Sequence, residues 1–574
     1  MLLPRILTVY LFFVLAYSDA MAQNLHSHNE AYQVLGNRGE VYFTFRVDDH
    51  QLLNEFSAVI SIDRYDPLTG YVYAYANQKG FESFIDYNVV YEILTAPSLT
   101  TEKSQINMLS SVDVANISSW DFYPTYPAYE SMMLQFENLF PDLYESIELS
   151  TLPSGRKLIF GRITSNVNQE HEKPRFMYTS TMHGDETAGF NLMLRMIHYL
   201  LNNYGEDEAV THLLDNLEIW ICPNENPDGT YTTNNATISG ATRGNANFVD
   251  LNRNYPNPIT VPEPVIQPET NAMISLVQDY DYVMSSNMHG GIECVNYPWD
   301  SWTSGEKIHA DHYWWQLVMH EYADTARYFS PAGYMDPWGP SFNNGVTHGG
   351  DWYVIYGSRQ DYMNYYASLR EFTLELSDIK LLPTSLLEDH WQYNYRSMLN
   401  YMQQSLYGIR GKVTDINTGE PVRAIIELAG HDKDNIFVYS SAEHGGFNRP
   451  VLEGTYTMRI QAEGYPMKTI QNISAQNYQT TWLDIQLGIY LSSPSFQLQT
   501  NQLIYPNPAR DEVSVMGLPE AESIMIIDVS GRLLLEQQLS GSPTQFNISH
   551  LPAGIYLVRV FTREAVYQQK LIKK

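Results

Sequence analysis

Two histidines and two glutamates in this chain are of the types that a hydrolytic metal centre uses. His183 and Glu186 lie three apart in "STMHGDETAG". The stretch falls between "RFMYTSTM", read as a buried strand, and "TAGFNLMLRMIHYLLNNYG", whose apolar spacing predicts a helix stopping at Gly205. A tight loop there aims both side chains at one ion. A catalytic zinc takes three protein ligands of this kind and keeps a fourth position for water. "YVMSSNMHGG" offers the third, His289, with Gly290 and Gly291 letting the chain approach closely. His-x-x-Glu is equally what a polar turn capping a helix looks like, and the sequence has no His-Glu-x-x-His motif. The histidines of "HADH" (309–312) and "HEY" (320–322) read as exposed positions on an aromatic-rich helix.

Three further stretches bear on the choice. "ATRGNANFVDLNRNYP" places Arg243, Asn252 and Arg253 in a polar loop, giving two guanidinium groups for an anion or a developing oxyanion. "GGDWYVIYGSRQDY" holds Tyr353 in a loop flanked by glycines. "REFTLELSD" embeds Glu375 in an apolar strand, where a buried carboxylate is costly without a role. The plain alternative for Glu375 is an outward-facing strand residue.

The elements that must position these residues belong to a chain of 574 residues, too long for one domain. A net charge of −31 excludes nucleic acid and anionic membrane as partners. "MLLPRILTVYLFFVLAYSDAMAQ" reads as a secretory signal, residues 1–22, cleaved after Ala22. No later run approaches the ~20 apolar residues of a membrane span, so no integral membrane segment is expected after cleavage. Cys222 and Cys294 are too few for a disulfide scaffold; one bridge and two buried thiols remain equal readings. Residues 23–119 read as a small α+β unit ("EVYFTFRV", "YVYAYAN", "VVYEIL" around "GFESFID") followed by a polar linker. Residues 120–405 alternate strands with helices, as an α/β domain does. Residues 408–488 and 500–574 read as two small β-sandwiches.

Taken in order, these motifs resemble the zinc carboxypeptidases, specifically the regulatory subfamily typified by carboxypeptidases D, E and N, over about residues 120–490. His183-Gly184-Asp185-Glu186 is similar to the family's HGNE, and Met288-His289-Gly290-Gly291 to its LHGG. Asn226-Pro227-Asp228-Gly229 repeats NPDG, and Asp250 to Asn254 repeats DLNRN, with Arg243 nine residues before Asn252. Trp352 to Tyr365 resembles the family's tyrosine loop and Glu371 to Ser377 its catalytic strand, with the family's interval of 22 residues from Tyr353 to Glu375. Departures are Asp185 for Asn, Ser358-Arg359 for Gly-Met, and Met363 for Asn. Residues 408–488 resemble the subfamily's transthyretin-like domain. "IYPNPARDEVSV" and "LPAGIYLVRV" resemble the C-terminal sorting domain of type IX secretion. The unit at 40–95 is loosely similar to a pro-segment.

The resemblance implies an α/β carboxypeptidase domain with a mixed central sheet flanked by helices, preceded by the α+β unit and followed by the two sandwiches. It implies one zinc per chain on His183, Glu186 and His289, with Glu375 as general base and then acid. Arg243 would stabilise the oxyanion, while Asn252, Arg253 and Tyr353 would hold the substrate's C-terminal carboxylate. Asp300, eleven residues after His289, and Gln360 would select a C-terminal Lys or Arg. Peptide and protein C-termini would be the substrates. The C-terminal domain would engage export machinery and take the protein through the periplasm to the cell surface or beyond. A guanidinium from Arg359 reaching the pocket would neutralise Asp300. Two rivals are a zinc amidase on peptidoglycan stem peptides, which would not need Tyr353 or the Arg243, Asn252 and Arg253 set, and a catalytically inactive surface binding protein. The second expects one of His183, Glu186, His289 or Glu375 to be missing; all are present.

Overall fold

The computed structural model describes residues 28–488 and 504–574, apart from 48, 170, 260–263, 338, 516–520, 529–531, 539–543 and 563–565. The expected signal segment, 1–22, lies outside the described residues. The largest body of the chain is built on an eight-stranded mixed sheet. From edge to edge its strands are Val346–His348, Ile292–Tyr297, Arg370–Ser377, Tyr282–His289, Arg175–Ser180, Glu218–Cys222, Lys157–Ile163 and Tyr144–Thr151. The four strands from Arg370–Ser377 to Glu218–Cys222 run parallel. They are buried on both faces, as parallel strands covered by helices are.

Alternation within each strand feeds two cores. Phe176, Tyr178, Ile219 and Ile221 face one core with the helices Tyr126–Leu139, Ala188–Asn203, His312–Tyr328 and Leu387–Gln404. Met177, Trp220 and Cys222 face the other, with Met273 and Leu276 of Pro268–Asp279 and Tyr362 of Arg359–Tyr365. The helix after the His183 loop ends at Asn203, and Gly205 takes φ +83°, the left-handed turn that stops a helix. Residues of the expected linker join this body: Ile106, Val112 and Val114 are buried in the larger core. Cys222 and Cys294 are buried free thiols.

The N-terminal unit is a separate four-stranded sheet, ordered Ser61–Tyr65, Tyr71–Asn77, Glu40–Arg46, Tyr91–Leu94. Its helices His50–Ser57 and Gln78–Ile85 close a core of Phe43, Phe45, Phe56, Phe81 and Phe84. "EVYFTFR" alternates as a half-exposed strand should, yet all but its last residue are buried. Its second face, with Tyr42 and Tyr75, is covered because it lies against the body built on the eight-stranded sheet.

Beyond residue 407, Gly408–Asp415, Gly446–Arg449 and Thr480–Leu487 form one sheet of a sandwich, facing a four-stranded sheet across their own core. The sandwich is fastened to the foot of the strand that carries Glu375: buried Asp311 accepts from both Arg370 and Arg449. Residues 504–574 contribute a three-stranded and a four-stranded sheet around a further core.

Candidate active site

The parallel strands bring the chemistry to one end of the sheet. Glu375 stands opposite His289, and Ser180, which leads into the His183 loop, stands opposite Met288. This is the crevice at the carboxyl ends of the strands, where α/β sheets place their sites. The Asn226-Pro227-Asp228-Gly229 turn carries the His183 loop: the Asn226 side chain donates to the Met182 carbonyl and accepts from the Gly229 amide. A Cβ on Gly184 would lie 2.3 Å from the Gly229 carbonyl carbon, so this loop has room only for glycine.

His183, Glu186 and His289 converge there, all buried. His183 Nδ1 is 3.0 Å from Glu186 Oε1, His289 Nδ1 is 2.9 Å from Glu186 Oε2, and the two Nδ1 atoms are 3.0 Å apart. On its far side His183 Nε2 meets Asp250 Oδ1 at 2.9 Å. That carboxylate holds the proton on Nε2 and turns the Nδ1 lone pair inward. Two imidazole nitrogens and a carboxylate facing one point are satisfied together by a cation, and the donor set is that of a catalytic zinc. Another cluster among the described residues, Asp311, His431 and Asp432, is already paired with Arg370 and Arg449.

Of the ten residues singled out in the sequence, all but Gln360 line this single cleft. Arg243 reaches Glu186 at 3.2 Å and Asp250 at 3.1 Å. Asn252 accepts the Arg359 amide on Oδ1 at 2.9 Å, which leaves its amide nitrogen as a donor. Glu375 is buried and faces the cleft, not solvent; burial and the neighbouring charge of Glu186 push its carboxyl well above the ordinary range.

Beside the cleft lies a pocket around Asp300, which is 2% exposed. Its Oδ1 accepts from Gln360 Nε2 at 3.0 Å and from Asn296 Nδ2 at 3.3 Å. Burial, then the charge of Asp361, pushes its carboxyl up to about 7. Gly349 makes the room, since a Cβ there would sit 2.0 Å from Asp300 Oδ1. Arg359 points away from this pocket. Its guanidinium is buried below, 2.5 Å from Glu225 and 3.1 Å from Glu371, so it does not neutralise Asp300.

Comparison with known proteins agrees with this geometry. Residues 129–397 match the zinc carboxypeptidase family, and residues 503–574 match the secretion system C-terminal sorting domain. Human carboxypeptidase D is 30% identical over 430 residues, 71% of this chain and 31% of that protein. Mouse carboxypeptidase M is 32% identical over 300 residues, covering 51% of this chain and 67% of that protein. The chain belongs to the zinc carboxypeptidase family. It spans about a third of the length of human carboxypeptidase D. Carboxypeptidase A of Helicoverpa armigera superimposes with a TM-score of 0.48 at 16% identity, over 64% of this chain and 97% of that one. The sorting domain implies export, and among the described residues no helix is long and apolar enough to cross a membrane.

Four residues of the site carry no role in the sequence reading. Asp250 lies inside the motif that supplied Asn252 and Arg253, and Asn296 lies four residues before Asp300. Lys380 follows the Glu375 strand; its ammonium is 2.7 Å from Glu186 Oε1. Asp63 comes from the N-terminal unit, and no local pattern marks it. His309, expected on an exposed helix face, is instead buried against Trp299 and Trp315.

Proposed function

We propose that the protein is an exported metallocarboxypeptidase that removes C-terminal Lys or Arg from peptides and proteins. The observation that carries this reading is the convergence, in one cleft, of a three-ligand metal set with cationic and phenolic donors suited to a carboxylate. His183, Glu186 and His289 would hold one zinc, which supplies Lewis acidity and a water acidic enough to deprotonate near neutral pH. Asn252, Arg253 and Tyr353 bind the substrate's terminal carboxylate and so place the last peptide bond over the centre. Arg243 stabilises the negative charge that grows on the scissile carbonyl oxygen. Glu375, buried and facing the cleft, accepts a proton from the attacking water and passes it to the leaving amine. Asp300, supported by Gln360 and Asn296, meets the cationic side chain, because an apolar one would leave its charge buried and unpaired.

The carboxylate-binding trio argues against an amidase that needs no free C-terminus, and the complete metal and base set argues against an inactive binding protein. The test is amino-acid release from a peptide ending in Lys, by the zinc-loaded protein both intact and after limited proteolysis. Zinc-loaded protein that releases nothing in either form would end the proposal.

A further inference from the structure

The two carboxylate oxygens of Asp300 are not equally available to a ligand. Oδ1 accepts from Gln360 Nε2 at 3.0 Å and from Asn296 Nδ2 at 3.3 Å. Gly349 packs against the same atom, so closely that a Cβ there would stand 2.0 Å away. Two N–H donors use both lone pairs of a carboxylate oxygen, so Oδ1 has nothing left to offer. The Ser358 hydroxyl is a further partner of this carboxyl, at a position where the family's loop carries Gly. What remains for a ligand is Oδ2.

The arrangement is held in place from several sides. Gln360 Oε1 accepts the Thr373 amide at 2.8 Å, which fixes its Nε2 end toward Asp300. Asn296 pairs with Thr373 across the strands Ile292–Tyr297 and Arg370–Ser377, so it is set by the sheet that carries Glu375. Behind the pocket, the Asp361 carboxylate accepts the amides of Asp300 and Ser301 at 2.8 and 2.9 Å. The Asp300 carbonyl in turn accepts the Ile355 amide at 3.1 Å. Asp300, Asn296, Gln360 and Asp361 are all buried. Turning the Asp300 carboxylate to present both oxygens would break its bonds to Gln360 and Asn296.

This matters because the two basic side chains bind a carboxylate differently. A guanidinium is a planar fork whose strongest contact is two parallel N–H···O bonds, one to each oxygen. An ammonium is a compact charge that needs only one oxygen. With Oδ1 taken, an ammonium keeps its full contact at Oδ2, while a guanidinium loses half of its own. Its remaining N–H groups would be buried in a cleft lined also by Ile292 and Ile355, whose side chains accept nothing. Donors left in that state count against binding.

We propose, resting on the carboxypeptidase reading, that this pocket takes the ammonium of a C-terminal Lys well ahead of the guanidinium of Arg, and that Asn296 and Gln360 set the choice by occupying Asp300 Oδ1.

The test is kcat/KM of the zinc-loaded protein, intact and after limited proteolysis, on matched peptides ending in Lys, Arg and norleucine. Norleucine keeps the carbon chain of Lys without its charge. In the parent chain Lys should lead Arg at least tenfold, and Arg should lead norleucine. Asn296→Ala should narrow the Lys/Arg ratio at least threefold, and Asn296→Ala/Gln360→Ala should bring it within threefold of unity. A merely structural defect would slow all three peptides together and leave the ratio where it was. Arg released as fast as Lys by the parent, or a Lys/Arg ratio unchanged in Asn296→Ala, would overturn the proposal. In the first case, Lys and Arg both well ahead of norleucine would leave the basic-residue reading standing. Norleucine released as fast as Lys would end that reading itself, and the proposal with it.

Discussion

Lys380 meets Asp63 of the N-terminal unit at 2.7 Å while the same ammonium holds Glu186 at 2.7 Å. One buried cation thus joins a candidate metal ligand to the N-terminal unit. Breaking a buried ion pair by removing one partner costs ~3–5 kcal/mol, because the other charge stays behind. Lys380→Met should therefore loosen the N-terminal unit, and adding Asp63→Asn should recover part of the loss. A double-mutant cycle on the denaturant midpoint of that unit should give a coupling of ~1 kcal/mol or more. Strict additivity would show that the contact contributes nothing.

Glu375→Gln removes the proposed proton acceptor while keeping the side chain's size. Metal analysis should still find one zinc per chain, while Lys release falls about 10²–10⁴-fold. His183→Ala should lose the metal itself. Normal turnover by Glu375→Gln would mean that another group handles the proton.

The proposed role of Asp300 in selectivity carries a pH dependence with it. Asp300→Ala should lower Lys or Arg release by ~30-fold to a few thousand-fold, the equivalent of ~2–5 kcal/mol for one lost partner of a buried pair. Because its carboxyl is pushed up to about 7, the pocket is neutral below that value and anionic above it. KM for Lys-ending peptides should fall as pH rises through about 7, whereas Phe-ending peptides should show no such step. For stability the sign is reversed. The folded state holds a proton that the unfolded carboxyl has released by pH ~4, so Asp300 weakens the fold as pH rises from there through its folded value. A Lys/Phe selectivity ratio that is flat across this range would remove Asp300 from the pocket's function.

Arg359 should matter for stability and not for selectivity. Arg359→Met strands Glu225 and Glu371 without their shared cation, at a cost of ~3–5 kcal/mol. Glu371→Gln in the same chain should restore part of that, as read from chemical denaturation. The ratio of Lys to Glu release should stay within a few-fold of the parent; a swing toward acidic residues would show that Arg359 reaches the pocket after all.

Residues 503–574 match a sorting domain and form sheets around a core of their own. Deleting 500–574 should leave the catalytic body folded but retained in the periplasm of a native host. Undiminished delivery to the cell surface or medium after the deletion would contradict the role in export.

Much of this site was legible because its residues stand at the ends of strands and in tight loops, where short motifs fix the geometry. "HGDE", "HGG" and "LELS" stand at or just beyond the carboxyl ends of neighbouring parallel strands in one mixed sheet, so their convergence follows from the α/β pattern. Side-chain direction was not legible. Arg359 sits next to Gln360 in sequence, but its guanidinium turns down toward Glu225 and Glu371. Docking between units was not legible either. Tyr42 and Tyr75 look like the outer face of an ordinary amphipathic strand, and nothing local shows that this face lies on the catalytic cleft. Residues 106–117 read as a polar linker because their buried positions, Ile106, Val112 and Val114, are too few and too irregular to show periodicity.

The most direct measurement is which residue the protein removes. Matched peptides ending in Lys, Arg, Phe, Leu and Glu should be offered at equal concentration to the zinc-loaded chain, intact and after limited proteolysis, and the released amino acids quantified. Lys and Arg should be released fastest. Faster release of Phe or Glu, or no release from any peptide by either form, would contradict the account.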